Sequence, residues 1–282
     1  MEYWKDTLEK LWDRDNAEVL LASHRGKFSS SVMENTSLAF LTAMGEGAHM
    51  MEMDIDITRD GGLVGHHDKT MDRLFRKPTK ISDWTLEELK QLPLYNYVGE
   101  ICEETIETFD EMIRPLKDKT VVVLDKCWDY WDPVYEQLKE LDMVPQAIFK
   151  FYLEDEKAYR WAADHRDCSF IPMSRDVSAF GRLLELKNST KVPALEILPR
   201  KPEDDIFRES SFSWLSEHGF KVWCNSLSLA KRLVYGAGFD DLKSLRYGGD
   251  LGWKELIDRG VTIIQTDWPY EVRKYIRTRK TI

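Results

Sequence analysis

The chain reads as an α/β protein, a closed parallel TIM (β/α)8 barrel, and three observations predict it. Eight short apolar runs have strand character: Val19–Ala22, Met50–Ile57, Val121–Leu124, Ala147–Phe151, Ser169–Pro172, Ala194–Leu198, Lys221–Cys224 and Val261–Gln265. Amphipathic helical stretches separate successive runs from Val121 onward, which is the βα repeat that closes a parallel barrel. A length of 282 residues suits a single barrel domain spanning 1–282.

Ahead of the first strand, Trp4, Leu8, Leu11 and Trp12 recur at helical spacing, predicting an N-terminal helix near 3–16. After the second strand, Asp60-Gly61-Gly62 supplies turn chemistry, so Leu63–His67 is expected to fold back as a hairpin strand. Residues 70–105 fit no simple βα unit and read as a small insertion above the barrel. Within it, Asp83-Trp84-Thr85-Leu86-Glu87-Glu88-Leu89 predicts a helix capped by Asp83 or Thr85. Leu227–Gly252 carries Gly236, Gly238, Gly248 and Gly249 and reads as a long loop with a short helix. No internal repeat, low-complexity tract or interdomain linker interrupts the pattern.

The formal net charge of −10 disfavours a nucleic-acid or anionic-membrane surface. It leaves an anionic small substrate open, because a local metal reverses the sign of a site. Cys102, Cys127, Cys168 and Cys224 form no CxxC pair and read as reduced thiols. The opening segment is charged throughout, without an apolar signal core, and no apolar run reaches membrane-spanning length. A cytoplasmic protein without stable membrane insertion is the expectation.

Chemistry concentrates between His24 and Asp68. His24 and Arg25 end the first apolar run, with Gly26 following, which places them at the C-terminal mouth where barrel loops assemble active sites. A histidine there is also satisfied easily by backbone groups. Glu52 and Asp54 are two apart on a strand and share a face. Two inward carboxylates roughly 6–7 Å apart repel by about 2–3 kcal/mol at an effective dielectric of ~20. A bound cation removes that penalty, and oxygen ligands point to Mg²⁺ or Ca²⁺. A solvated face carrying both is the plainer reading. Asp56 continues the alternation toward the hairpin and reads as a rim residue.

His66 and His67 are adjacent, so an extended backbone sends them to opposite faces and only one can aim at a metal centre. Asp68 can fix a histidine's orientation or close the loop. Near neutral pH one imidazole accepts a proton and another donates one. Glu34-Asn35-Thr36 precedes an amphipathic helix, so Asn35 has a ready role as its N-cap, while Glu34 is left to hold the site's hydrogen bonds. Trp128, Phe151, Tyr152, Trp223 and Trp268 fall near predicted strand ends, where they either wall a pocket or pack the barrel top.

Together these segments resemble the glycerophosphodiester phosphodiesterase family, whose fold is a TIM barrel. The resemblance runs through His24-Arg25-Gly26, Glu34-Asn35-Thr36, Gly47-Ala48…Met51-Glu52-Met53-Asp54, Thr58-Arg59-Asp60-Gly61 and Val64-Gly65-His66-His67-Asp68…Arg73. It continues through Lys80–Leu89, Val222-Trp223-Cys224-Asn225 and Gly260-Val261…Gln265-Thr266-Asp267-Trp268-Pro269. It implies His24 and His67 as the acid–base pair, His67 being the histidine of the HD motif. It also implies Glu52 and Asp54 as ligands of one divalent cation, Mg²⁺ or Ca²⁺, and Arg25 as a phosphate contact.

Two positions depart from the family pattern. Met33 stands where proline precedes ENT. Val123-Leu124-Asp125-Lys126 replaces the I-E-x-K strand, leaving Asp125 as the third carboxylate and either Lys126 or Lys150 to supply the phosphate-binding charge. The implied activity is metal-dependent hydrolysis of a small glycerophosphodiester to glycerol 3-phosphate and an alcohol. Lysophospholipase D-like cleavage of a lipid and non-catalytic phosphate binding are the rivals.

Overall fold

The computed structural model describes residues 3–229 and 233–279. Helix α1 (Tyr3–Trp12) precedes β1 (Leu20–His24), and α2 (Ser37–Glu46) joins it to β2 (Met50–Ile57). A hairpin strand, β3 (Leu63–Gly65), follows. The insertion carries α3 (Asp72–Phe75) and α4 (Leu86–Lys90), then α5 (Phe109–Ile113) leads to β4 (Val121–Asp125). Regular alternation runs from α6 (Trp131–Glu140) and β5 (Ala147–Tyr152) through α7 (Glu156–Asp164) and β6 (Ser169–Ser174). Next come α8 (Phe180–Ser189), β7 (Ala194–Ile197), α9 (Glu209–Glu217) and β8 (Lys221–Asn225). The segment after β8 holds α10 (Asp241–Tyr247) and α11 (Trp253–Asp258), before β9 (Ile263–Thr266) and α12 (Pro269–Arg279).

Eight parallel strands close into a barrel in the order β1-β2-β4-β5-β6-β7-β8-β9, with β9 returning to β1, and β3 pairs antiparallel to β2 outside the ring. The strands are nearly all apolar because both faces are buried, one by the helices and one by the barrel lumen. Outward residues such as Leu21, Met51, Val122, Phe149, Phe170 and Leu195 pack with the helices. Inward Leu20, Ala22, Met50, Val121, Val123, Ile148, Ile171, Ala194, Trp223 and Ile263 fill the lumen. Trp4 and Leu11 join that inner cluster, so α1 plugs the lumen from below. It ends at Trp12, short of residue 16, where the chain turns through Asn16 Nδ2 donating to Lys10 O at 3.2 Å.

On β1, β2 and β4 the period-2 alternation runs from apolar layers at the base to polar residues at the mouth: His24 above Ala22, Asp54 above Glu52 and Met50, Asp125 above Val123. The hairpin strand stops at Gly65, two residues before the predicted end. There β2 and the Asn35 carbonyl approach so closely that a Cβ on Gly65 would lie 2.6 Å from that oxygen. Helix α2 is capped by Thr36, whose hydroxyl accepts from Ala39 N at 3.2 Å, so Asn35 is not the cap. In the insertion Thr85 caps α4 reciprocally with Glu88, and Asp83 caps the preceding turn by accepting from Lys80 N. The insertion buries its own small core around Val64, Leu74, Phe75, Ile81 and Leu89. The four cysteines are free thiols, and no helix among the described residues is long and apolar enough to cross a membrane.

Candidate active site

A cavity of about 70 Å³ opens at the C-terminal mouth of the barrel, lined by His24, Arg25, Glu52, Asp54, His67, Asp125, Lys126 and Lys150 among others. Strand register assembles it. His24 lies opposite Glu52 across β1 and β2, and Asp54 opposite Asp125 across β2 and β4. Carboxylate oxygens of Glu52, Asp54 and Asp125 lie within 4.8 Å of one another, with Glu52 and Asp54 buried and the Asp125 side chain 13% exposed. Burial first, and the Asp54 charge second, push Glu52 well above its ordinary value. Asp125 is held low: burial opposes ionisation there, but the Lys150 and Lys126 charges and the Lys126 N–H outweigh it.

Each imidazole is tied at Nδ1 to a carboxylate. His24 Nδ1 meets Asp267 Oδ1 at 2.8 Å, and His67 Nδ1 meets Asp68 Oδ1 at 2.8 Å. A carboxylate only accepts, so Nδ1 carries the hydrogen in both rings and Nε2 is left to exchange a proton. The neighbouring histidines separate as an extended backbone requires. The His67 side chain is 28% exposed, whereas that of His66 is 1% exposed, turned toward Asp56 at 3.4 Å and against Phe75.

A relay of ion pairs braces this wall. Asp68 accepts from Arg73 Nε at 2.7 Å, Arg73 donates two bonds of 2.7 Å to Glu34, and Glu34 accepts from Arg25 Nη1 at 3.0 Å. Arg25 Nε then stands 3.2 Å from Asp54, and its backbone N–H donates to Glu52 at 3.0 Å. Burial works against the Glu34 charge, yet Arg73 and Arg25 hold its pKa down at about 2. Asn35 completes the brace: its amide donates to Asp54 Oδ2 at 3.0 Å and accepts from Asp54 N at 2.9 Å. It does so from the left-handed region (φ 52°), as does Arg25 (φ 55°), followed by Gly26 at φ 80°. A Cβ on Gly26 would lie 2.6 Å from the Ala39 backbone, so only glycine lets the β1 loop press onto α2.

The two lysines have different surroundings. Lys150 projects inward from β5 and is buried, with Glu196 at 2.7 Å, Asp125 at 3.3 Å and Gln265 at 3.4 Å, and the Asp125, Glu196 and Glu52 carboxylates hold its pKa up against burial. Lys126 follows Asp125 in the left-handed region (φ 65°), which ends β4 and swings its side chain round to the cavity, 5.9 Å above the Trp128 ring.

Trp223, one of the aromatics near a strand end that could either wall the pocket or pack, lies below the cavity. It is fully buried in the lumen, Nε1 donates to Asn225 at 3.0 Å and Gln265 at 3.2 Å, and Lys150 stands 5.1 Å over its ring. Phe151 faces the helices against Trp131, and Trp268 stands at the surface under Lys27. Trp128 and Tyr152 do line the cavity, edge to face at 5.9 Å. Sequence reasoning passed over Glu196, Asn225, Gln265 and the role of Asp267. Glu196 left a signal, a lone acid at an inward position of the buried run Ala194-Leu195-Glu196-Ile197.

A model described as the glycerophosphoryl diester phosphodiesterase family matches residues 24–190, more than half of the chain. The chain belongs to this family. A second model, a domain of unknown function, matches residues 171–276. Among curated family members, the glycerophosphodiester phosphodiesterase of Caldanaerobacter subterraneus is 40% identical over 107 residues, 38% of this chain and 44% of that protein. Glycerophosphodiester phosphodiesterase 1 of Rattus norvegicus is 30% identical over 169 residues, 58% of this chain and 46% of that protein. The chain thus spans about half the length of the curated relatives it matches. A family structure from Parabacteroides distasonis superposes over 98% of this chain and 92% of that one, with a TM-score of 0.79 at 22% identity. An Oleispira antarctica phosphodiesterase, solved with the product sn-glycerol-3-phosphate, covers 92% of this chain and 96% of that one, with a TM-score of 0.67 at 20% identity. At these identities the structures establish the shared barrel.

Proposed function

We propose that this protein hydrolyses glycerophosphodiesters to glycerol 3-phosphate and an alcohol, using His24 and His67 as the proton-transfer pair and one divalent cation, Mg²⁺ or Ca²⁺. The observation that carries the reading is three converging carboxylates lined into one cavity with two imidazoles, each fixed at Nδ1. Family membership supports the same chemistry.

The carboxylates fit a cation. Asp54 Oδ1 is buried without a hydrogen-bond partner, and burial with the Asp54 charge pushes Glu52 up even though Lys150 and Arg25 act against it. An all-oxygen set of this kind suits a hard ion. Glu52, Asp54 and Asp125 would hold it, and when bound it supplies charge neutralisation at a phosphate oxygen.

The chain's own residues account for the rest. Nε2 of one histidine takes the proton from the nucleophile, and Nε2 of the other returns a proton to the leaving alkoxide. Asp267 and Asp68 keep both rings in the required tautomer. Arg25 and Lys126 offer N–H donors to the phosphate. We assign Lys126 to this contact because Lys150 is already neutralised by Glu196 and Asp125. Met173, Leu198, Leu227 and Leu229 also line the cavity and favour an acyl chain on the glycerol side as the second reading, a lysophospholipid whose headgroup alcohol leaves while the chain stays with the phosphate. A cytoplasmic location is the companion proposal.

The test is a headgroup panel, glycerophosphocholine, glycerophosphoethanolamine, glycerophosphoinositol and lysophosphatidylcholine, assayed with Mg²⁺ or Ca²⁺. Release of glycerol 3-phosphate from the water-soluble diesters is expected. Preference for lysophosphatidylcholine would establish the second reading, and no turnover on any substrate would leave a phosphate-binding protein.

A further inference from the structure

Asp241 on α10 is a buried carboxyl that the chemistry above does not use, and its four hydrogen bonds divide by oxygen. On one side, Oδ1 accepts from Ser226 Oγ at 2.6 Å and from Trp253 Nε1 at 2.8 Å, which anchors the side chain between β8 and α11. On the other, Oδ2 accepts from Thr266 Oγ1 at 2.9 Å and from the backbone N–H of Asp267 at 3.2 Å. Thr266 Oγ1 in turn accepts from Trp268 N at 2.9 Å. The turn from 266 to 268 is therefore folded around a single carboxylate oxygen. That turn presents Asp267, whose own carboxylate holds His24 Nδ1 at 2.8 Å.

A carboxyl at this place is costly. Burial pushes Asp241 up to about 7 in spite of the bonds from Ser226 and Trp253. Packing alone would be served as well by an apolar side chain, since the strand end could be closed without a charge. What an apolar side chain cannot do is fix the backbone of residue 267 against rotation.

We infer that Asp241 is a positioning residue for His24, acting through the Asp267 backbone to set the orientation and tautomer of the imidazole. The inference rests on the proposed role of His24 in proton transfer. Fixing a histidine by a carboxylate that is itself held rigid keeps Nε2 aimed at the reacting oxygen, and loosening it lowers turnover without weakening substrate binding.

The test joins kinetics with proton NMR of the imidazole. A Nδ1–H held by a carboxylate gives a downfield resonance, assigned to His24 by its loss in His24→Ala. Asp241→Asn is expected to lower kcat by about 10–100-fold with KM nearly unchanged, the range seen when an outer partner of a functional histidine is removed. It should broaden or abolish the His24 resonance and shift the pH profile of kcat/KM. In an Asp267→Asn background it should add no more than about twofold, because both substitutions break one chain of contacts. A wild-type resonance and pH profile in Asp241→Asn, or a loss that multiplies fully with that of Asp267→Asn, would overturn the inference. If Asp241→Asn does not fold, Thr266→Val removes one of the two bonds to Oδ2 and must weaken the resonance and kcat in the same direction, and an unchanged resonance overturns the inference equally. A wild type without turnover on any diester overturns the functional reading instead, and the resonance then decides the positioning claim by itself.

Discussion

The two walls of the barrel mouth handle charge in opposite ways. On the wall built from β1, β2 and β4, Glu52, Asp54 and Asp125 converge, and Asp54 keeps a buried oxygen without a partner. On the wall built from β5, β7, β8 and β9, Lys150 neutralises Glu196, Asn225 donates to Glu196 at 2.8 Å, and Trp223 closes onto Asn225 and Gln265. The first wall gathers three carboxylates, one of which leans on Lys150 from the other side, and on the second wall the one carboxylate is offset by Lys150. A buried surplus of carboxylates favours a positively charged ligand, whereas a buried balance suits a scaffold.

The sharpest break of this contrast is catalytic. His24→Ala and His67→Ala are each expected to lower kcat/KM for a glycerophosphodiester by at least about 100-fold, as removal of a general acid or base does. A loss below tenfold in either would remove that imidazole from the reaction.

Next in size is the balanced wall. Lys150→Met leaves Glu196 and Asp125 buried with their counter-charge gone, and should cost about 3–5 kcal/mol in urea unfolding. Lys126→Met should leave stability unchanged and raise KM. The reverse pattern, a stable Lys150→Met and an unstable Lys126→Met, would exchange their roles.

The brace on the first wall makes a pH-dependent contribution. Glu34 has its folded pKa lowered from 4.5 to about 2, so the stability it confers is present above pH 4.5 and is lost as pH falls toward 2. That contribution is on the order of 3 kcal/mol. Urea midpoints of wild type and Glu34→Gln should therefore converge between pH 4.5 and 2, and parallel curves through that window would show the ion pairs to be idle. The smallest effect belongs to His66, whose ring faces Asp56 and Phe75: His66→Ala should change kcat/KM by less than about threefold, against the loss predicted for its neighbour.

The same contrast explains what the sequence discloses. Most of the first wall is legible because its residues other than Asp125 crowd into His24–Asp68, where hairpin and strand alternation fix which side chains share a face. All eight barrel strands are legible for a related reason, since each is a short apolar run in a regular repeat. The second wall is assembled from single polar residues on four strands far apart in the chain, so nothing local announces that Lys150, Glu196, Asn225 and Gln265 meet. Trp223 stays open in the sequence for that reason: its place near a strand end is visible, but its burial under Asn225 is set by register. Asn35 went astray differently, because Thr36 next to it is an equally good cap and the left-handed turn at Arg25 and Asn35 frees the amide for Asp54.

The central claim is that Glu52, Asp54 and Asp125 on the first wall would hold a cation in the cavity that His24 and His67 also line. Crystals soaked in Mn²⁺, an anomalous scatterer that occupies hard oxygen sites, test it most directly. One anomalous peak bonded to Glu52, Asp54 and Asp125 is the predicted result, and it should vanish in Asp54→Asn. A cavity that stays free of metal at saturating Mn²⁺, or an ion bound only elsewhere, would contradict it.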